Sequence, residues 1–253
     1  LSLHDALPIL NSDATNRDDF GAMKMVMKRF AQVVERAKRG FGIPVMSAVI
    51  DTYDDERFVR DYIKSFKSEI EASGGCLVAR PDSGVPAEKS VAVLKWLGEI
   101  FGYNLTNTGH KYLPPCAKML YGDGMNVHTF EPIIKAIVED GNSLDSSLLG
   151  MGAGIANEGS RDAMSFSMKT IAAFTDRWTR LLKEPKSDLG KKSLSGLVRC
   201  RENESGELEV FDSLVDGSIY DFFKQAPGHR AWLDNGRRSW RQPFESVRAF
   251  ARG

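Results

Sequence analysis

Four groups of polar and glycine residues each follow a short apolar run of the chain, at residues 51–54, 80–84, 122–124 and 150–154. Their carboxylates can accept hydrogen bonds from the vicinal hydroxyls of a sugar, and aspartate oxygens are the hard ligands that Mg²⁺ prefers. Glycines in the last group would let backbone N–H groups surround a phosphate. Arg161 and Lys169 follow that group and offer cations to the same anion. The pattern therefore favours a site for a phosphorylated sugar.

The aspartates of these groups have a second interpretation, in which Asp82 and Asp123 cap the helices that follow them. For Asp123 the sequence leaves the two interpretations open. For Asp82 we favour ligand binding, because capping does not explain why Arg80 stands two residues earlier, unless the two side chains only pair with each other.

Alternating strands and helices must position these groups. We predict strands near residues 45–50, 76–79, 118–121, 147–149 and 165–174, and helices near 18–39, 58–70, 91–101 and 129–138. Continuous apolar strands that alternate with helices indicate an α/β fold with a parallel sheet. In barrels and in open sheets of this kind, ligands bind at the carboxyl ends of the strands. We therefore expect the four groups to meet at one edge of the sheet.

The C-terminal part of the chain has a different pattern, which predicts hairpins. Residues 197–201 and 208–211 flank a turn at 204–206, and residues 231–233 and 239–241 flank a turn at 234–236. We predict an α/β catalytic portion at 10–182 and a β-rich portion at 183–253 packed on it. Arginines and tryptophans near residue 235 could suggest nucleic acid, but we favour a solvated hairpin face.

The composition excludes several classes of function. The 34 Lys and Arg residues balance the 34 Asp and Glu residues, so no global field attracts nucleic acid or an anionic membrane, and any anion binding must come from a local cluster. No apolar run approaches the ~20 residues of a membrane span. Three scattered cysteines suit a reducing compartment, and we expect a cytoplasmic protein. Residues 1–9 resemble translated sequencing adapter, so we leave them out of the fold.

Four motifs in chain order carry a resemblance to a known family. They are ARPDSGVP at 79–86, GHKYLPP at 109–115, YGDGMN at 121–126 and the interrupted GMGAG…SRD at 150–162. Together they resemble nicotinamide phosphoribosyltransferases, from about Pro44 to the C-terminal hairpin. The resemblance implies a type II phosphoribosyltransferase fold, that is, a partial irregular (β/α) barrel of parallel strands with a β-hairpin-rich C-terminal portion. It also implies a homodimer with shared active sites.

The resemblance assigns catalytic roles to three residues. Arg80 corresponds to an arginine near the ribose and pyrophosphate, and Asp82 and Asp123 correspond to carboxylates that hold the ribose diol or Mg²⁺–pyrophosphate. Asp82 is thus the candidate Mg²⁺ ligand. The resemblance also implies further substrate contacts. Gly122 would contact the ribose, and Gly152 and Ala153 would form the 5′-phosphate loop. Arg161 and Lys169 would be the phosphate cations, and Val78 and Leu120 would lie beside the pyridine tunnel. Ala153 stands where the family usually has glycine.

The implied reaction joins nicotinamide to phosphoribosyl pyrophosphate and gives nicotinamide mononucleotide and pyrophosphate, a step of NAD salvage. Mg²⁺ is the implied cofactor, with ATP as a candidate coupling nucleotide of the full-length enzyme. Two alternatives stay open, a nicotinate phosphoribosyltransferase and a non-catalytic sugar-phosphate-binding fragment. Because the family's pyridine-selecting residues lie upstream of the residues present, we expect this chain to be a C-terminal portion that is inactive alone.

Overall fold

The computed structural model describes residues 17–151, 169–174, 178–212, 233–234 and 237–238. Its helices are α1 (Phe20–Lys38), α2 (Asp55–Arg57), which continues as a π-helix (Phe58–Ile63), α3 (Lys67–Ser73), α4 (Pro86–Phe101) and α5 (Val127–Glu139). Within these ranges no helix combines the length and the apolar content needed to cross a bilayer.

Four of the strands form one parallel sheet. The strands are β1 (Val45–Val49), β2 (Cys76–Arg80), β3 (Asn104–Leu105), β4 (Lys111–Tyr112), β5 (Ala117–Tyr121), β6 (Ser147–Leu149), β7 (Ala172–Phe174), β8 (Trp178–Arg180), β9 (Val198–Glu202), β10 (Leu208–Asp212), β11 (Leu233–Asp234) and β12 (Arg237–Arg238). The sheet order is β1-β2-β5-β6, and all three pairings are parallel. The predicted parallel sheet is therefore confirmed.

The helices cover one face of this sheet. Alternate strand residues, among them Ala48, Ala79 and Met119, are buried in the same apolar cluster as residues of α1, the π-helix and α3 to α5. Side chains alternate between the faces of a strand, so the opposite face carries Lys118 and Leu120, which are half-buried, and Leu148, which is 39% exposed. Strands in chain order with helices on one face are what a singly wound (β/α) unit requires. The partial irregular barrel stays a prediction.

The first turn of α5 shows how local chemistry sets the start of a helix. The Asn126 side chain accepts hydrogen bonds from the backbone N–H groups of His128 and Thr129, and the Thr129 hydroxyl accepts one from the Asn126 N–H at 2.8 Å. This capping box satisfies N–H groups that have no partner inside the helix. Helix α4 instead starts at Pro86 after Val85, with no side-chain cap.

The capping interpretation of Asp82 and Asp123 is therefore wrong. The caps at the starts of α4 and α5 lie three residues further along the chain in both cases, at Val85 and Asn126. Neither carboxylate therefore caps a helix.

Replacing Asn126 with alanine is expected to lower the free energy of unfolding by about 1 kcal/mol, because the first N–H groups of α5 lose their acceptor. Urea unfolding of the chain would measure the change. The exposed His128, in the same turn, provides the control, since His128→Ala removes no capping group. Equal effects of the two substitutions would contradict the assigned cap.

Two predicted elements differ from the structure. The helical stretch predicted at 58–70 is a π-helix followed by a separate α3. The described part of the predicted strand at 165–174 is β7, which pairs with β8 in a two-stranded sheet instead of joining the parallel sheet. Pairing with a strand only a few residues away closes a short loop, and that costs less chain entropy than a long-range pairing.

The chain divides into two compact units, of which the first contains the described residues up to 174 and residues 179–196, and the second contains Trp178 and the described residues from 197 onward. The predicted boundary between residues 182 and 183 stays a prediction. In the second unit β9 and β10 pair antiparallel from Val198↔Asp212 to Glu202↔Leu208, which confirms the first predicted hairpin. Its turn is held by the Asn203 side chain, which accepts hydrogen bonds from the N–H groups of Ser205 and Glu207. Strands β11 and β12 also pair antiparallel, and the rest of the second predicted hairpin lies outside the described residues.

Candidate functional site

Three aspartates meet beyond the carboxyl ends of the parallel strands. Asp51 follows β1 and is only 1% exposed, Asp82 follows β2, and Asp123 follows β5. The Asp82 backbone N–H donates a hydrogen bond of 3.1 Å to Asp51 Oδ2. A single lysine, Lys191, contacts both the Asp123 carboxylate and the Asp82 main-chain carbonyl. The expected convergence of strand ends is therefore present for these three groups and for the start of the fourth, since the Gly150 N–H donates to the Tyr121 carbonyl at 2.8 Å. Residues 152–154 of the fourth group lie outside the described residues.

A segment at residues 181–193, here called the strap, crosses this edge of the sheet. Its backbone N–H groups at Glu184 and Lys186 donate to the carbonyls of Thr52 and Tyr53 at 2.9 and 2.7 Å. The hydroxyl of Ser187 lies 2.8 Å from that of Ser83. These bonds hold the strap against the loops that follow β1 and β2.

Lys183 is the buried cation of the strap. Its side chain is 5% exposed, and its ammonium lies 3.4 Å from Asp51 Oδ1 and 3.6 Å from Asp82 Oδ2. The Ser193 N–H donates to the Lys183 carbonyl at 2.8 Å, and the Lys183 N–H donates to the Ser193 hydroxyl at 2.9 Å, which fixes the backbone of Lys183. A charge this deeply buried is tolerable only when it is paired, so Lys183 and Asp51 stabilise each other.

Lys191 is the second cation, and it is more accessible. Its side chain is 26% exposed and that of Asp123 is 34% exposed. Burial disfavours the charged form of Lys191, but the hydrogen bond to Asp123 and the charges of Asp123, Asp82 and Asp51 outweigh it and raise the pKa of Lys191. The ammonium is therefore charged throughout the neutral range.

Arg80 completes the charge balance at the end of β2. Its Nη2 lies 3.4 Å from Asp82 Oδ1, so three cations, Arg80, Lys183 and Lys191, face the three aspartates. The Tyr121 hydroxyl donates to the Gly84 carbonyl at 3.3 Å. Burial, followed by the charges of Asp123, Asp82 and Asp51, raises the pKa of Tyr121, so that this hydroxyl stays protonated.

The remaining predicted residues lie in several places. Val78 is buried within β2 and Leu120 is half-buried in β5, both on the sheet face opposite the helices. Gly122 lies next to Gly150, and a methyl group on Gly122 would stand 3.6 Å from the Gly150 carbonyl oxygen, an ordinary contact. Lys169 is exposed. Gly152, Ala153 and Arg161 lie outside the described residues, so their roles stay predictions.

Sequence reasoning missed two functional candidates, Lys183 and Lys191, and left Asp51 out of the predicted catalytic set. A signal for Lys183 was present, because the apolar pair 181–182 ends in a charged residue just as β1 and β2 do. Lys191 stands in a polar stretch with no periodicity, and nothing local distinguishes it from the neighbouring Lys192, which pairs with Glu184.

The oxygen atoms around Lys191 suit a divalent cation. A carboxylate oxygen of Asp123 and the carbonyl oxygen of Asp82 already contact one positive group, and Mg²⁺ prefers such hard donors, completing its shell with water and substrate phosphates. Within the described ranges, no three His, Cys, Asp or Glu side chains form a metal site by themselves. Asp82 and Asp123 therefore offer donors of the type that Mg²⁺ takes, and the Mg²⁺ site itself stays a prediction.

A cleft of about 490 Å³ lies at the other end of the sheet, away from the aspartates. It is lined by residues next to the amino ends of β1, β2 and β5, including Pro44, Glu71, Cys76 and Cys116. Burial raises the pKa of the Cys76 thiol to about 11, so this group is protonated at neutral pH and is a weak nucleophile. The aspartates and lysines at the carboxyl edge are the better candidate for chemistry.

Comparisons with known proteins find relatives among bacterial phosphoribosyltransferases. The relatives include nicotinamide phosphoribosyltransferases of Xanthomonas campestris pv. campestris, 32% identical over 64% of this chain and 35% of the relative, and of Acinetobacter baylyi, 30% identical over 66% and 37%. A Mycoplasma genitalium protein of the same name is 27% identical over 70% of this chain and 42% of its own length. The chain thus matches about two fifths of each curated relative.

The model of one protein family covers more than half of the chain. It is described as the nicotinate phosphoribosyltransferase (NAPRTase) family and matches residues 52–214. That range contains Asp82, Asp123, Lys183 and Lys191, and it begins one residue after Asp51. The chain belongs to the nicotinate phosphoribosyltransferase family.

Proposed function

We propose that this chain carries the sugar-pyrophosphate part of a nicotinamide phosphoribosyltransferase active site. The enzyme joins nicotinamide to phosphoribosyl pyrophosphate and releases nicotinamide mononucleotide and pyrophosphate, a step of NAD salvage. The observation that carries the proposal is the meeting of Asp82 and Asp123 around one cation, with Arg80 beside them. Membership of a phosphoribosyltransferase family and the names of the relatives support it.

The chemistry is a displacement at the anomeric carbon of the ribose. The pyridine nitrogen forms a bond to that carbon as the bond to the pyrophosphate oxygen breaks, and the electron pair leaves with pyrophosphate. Asp82 is placed to accept hydrogen bonds from ribose hydroxyls, and its charge, together with that of the buried Asp51 beside it, favours positive charge on the ring. Arg80 and Lys183 supply fixed positive charge near the departing oxygens. No covalent protein nucleophile is required.

The proposal includes Mg²⁺, for which Asp82 and Asp123 are the protein ligands. When bound with pyrophosphate, this ion supplies additional positive charge for the leaving group. From the motif resemblance we further propose a homodimer in which Arg161 and Lys169 reach the partner's site, with ATP as a coupling nucleotide of the full-length enzyme.

Nicotinate is the second candidate substrate. The description of the matching family favours it, whereas the similar curated proteins are nicotinamide phosphoribosyltransferases. Both reactions use the same sugar-pyrophosphate and the same leaving group, so the carboxyl edge described above suits either pyridine.

The test is to express both residues 1–253 and the longest reading frame that contains them, and to incubate each with phosphoribosyl pyrophosphate, Mg²⁺ and one radiolabelled pyridine. We expect the longer protein to form nicotinamide mononucleotide from nicotinamide, and the assay is run with and without ATP to test for coupling. Residues 1–253 alone are expected to form none. Product from nicotinate only would assign the acid-specific reaction. Binding of phosphoribosyl pyrophosphate without turnover of either pyridine would leave only a sugar-phosphate-binding protein.

A further inference from the structure

We infer that Lys191 is an exchangeable counter-ion, which holds the divalent-cation position between Asp82 and Asp123 and leaves it when a metal ion binds, whereas Lys183 stays in place. The inference rests on the proposed function in one respect, because it takes the oxygens of Asp82 and Asp123 as the metal position. It assigns different tasks to two lysines of the same strap.

The contacts of Lys191 are those that a small hard cation would make. Its ammonium contacts a carboxylate oxygen of Asp123 and the main-chain oxygen of Asp82, which come from the ends of two neighbouring parallel strands. A divalent ion bound to these oxygens would lie within a few ångströms of the ammonium, where like charges repel strongly at the low effective dielectric of a half-buried site. The two cations therefore compete for one position.

Burial separates the two lysines. The Lys183 side chain is 5% exposed, and its partner Asp51 is 1% exposed, so withdrawal of Lys183 would leave a buried carboxylate uncompensated. Lys191 is 26% exposed and Asp123 is 34% exposed. Lys191 also ends a short 3₁₀ turn whose first residue, Leu189, is 72% exposed. Its ammonium can reach water by side-chain rotation, without opening of the backbone.

The consequence for the metal-free protein is a charge-neutral edge. Arg80, Lys183 and Lys191 balance Asp51, Asp82 and Asp123, so a divalent ion that arrives alone must displace a bound ammonium. Its affinity is accordingly lower than the carboxylates by themselves would give. Lys191 thereby sets how much free metal the site requires.

The experiment is a titration of the full chain with Mn²⁺, in which free Mn²⁺ is measured by electron paramagnetic resonance. Lys191→Met is expected to bind Mn²⁺ about tenfold more tightly than the unmodified chain, since one competing charge is gone. Lys192→Met is the matched control, because the neighbouring Lys192 pairs with Glu184 at 2.6 Å instead; it should leave the affinity unchanged. Equal or weaker Mn²⁺ binding by Lys191→Met would overturn the inference.

A second measurement applies even where Lys191→Met folds poorly. The lysines of the unsubstituted chain are labelled with ¹³C-methyl groups, and the Lys191 methyl resonance is assigned as the one that Lys191→Arg lacks. As Mg²⁺ is added, this resonance should shift while the Lys183 resonance keeps its position. Equal shifts for both, or none for Lys191, would contradict the exchange. Neither measurement contains pyridine or sugar substrate, so an inactive enzyme with normal metal exchange would refute the proposed reaction alone.

Discussion

We expect Asp82→Asn to lower kcat/KM for phosphoribosyl transfer by about 10²–10³-fold while the fold is retained. The substitution keeps the shape of the side chain but removes the charge that faces Arg80 and Lys183 and that would fix the ribose. The fold should tolerate it, because the Asp82 side chain is 26% exposed and its backbone N–H still donates to Asp51.

The measurement is steady-state kinetics on the active reading frame, with circular dichroism as the test of folding. Asp61→Asn is the control, since Asp61 is an exposed carboxylate of the π-helix and its neutralisation changes net charge equally. Turnover of Asp82→Asn close to that of the control would reduce Asp82 to a structural partner of Arg80 and Lys183.

The second large effect concerns stability. Lys183→Met is expected to lower the free energy of unfolding by about 3 kcal/mol, because it leaves the carboxylate of Asp51, 1% exposed, without its cation. Urea unfolding followed by tryptophan fluorescence would measure it. Lys186→Met is the matched control in the same strap: Lys186 is 77% exposed and pairs with Asp54 at 3.1 Å, so its loss should change the free energy of unfolding little, since solvent screens exposed ion pairs.

A double substitution separates charge from packing. If the cost of Lys183→Met comes from the unpaired Asp51, then adding Asp51→Asn should restore much of the lost stability. If the losses in the free energy of unfolding of the two single substitutions simply add in the double variant, Lys183 stabilises the strap by packing and not by pairing.

The sequence was informative wherever a structural rule is local. The apolar run at 76–79 between polar segments predicts the buried strand β2, and the same reasoning finds β1, β5 and β6, because strands of a parallel sheet are apolar on both faces. The carboxyl-end rule then brings Asp82 and Asp123 to one edge. The start of α5, in contrast, was predicted near residue 129 and lies at Val127, because the capping box of Asn126 and Thr129 was not recognised.

Long-range pairing explains what could not be predicted. Lys183 and Lys191 acquire their roles from Asp51, Asp82 and Asp123, which lie 68 to 132 residues away in the chain. No periodicity or turn signal encodes such contacts. The β7–β8 pairing was missed for a different reason, because a short apolar run suits a hairpin as well as a parallel strand.

The length of chain between the strap and its partners has a consequence for the order of folding. Strands β1, β2 and β5 and the helices between them make contacts of shorter range, whereas the bond from Lys183 to Asp51 closes a loop of 132 residues. Contacts that close longer loops carry a larger entropic cost before they yield any stabilisation. The sheet and its helices should therefore form first, as an acidic-edged intermediate, and the site should be completed in the last step, when the strap docks.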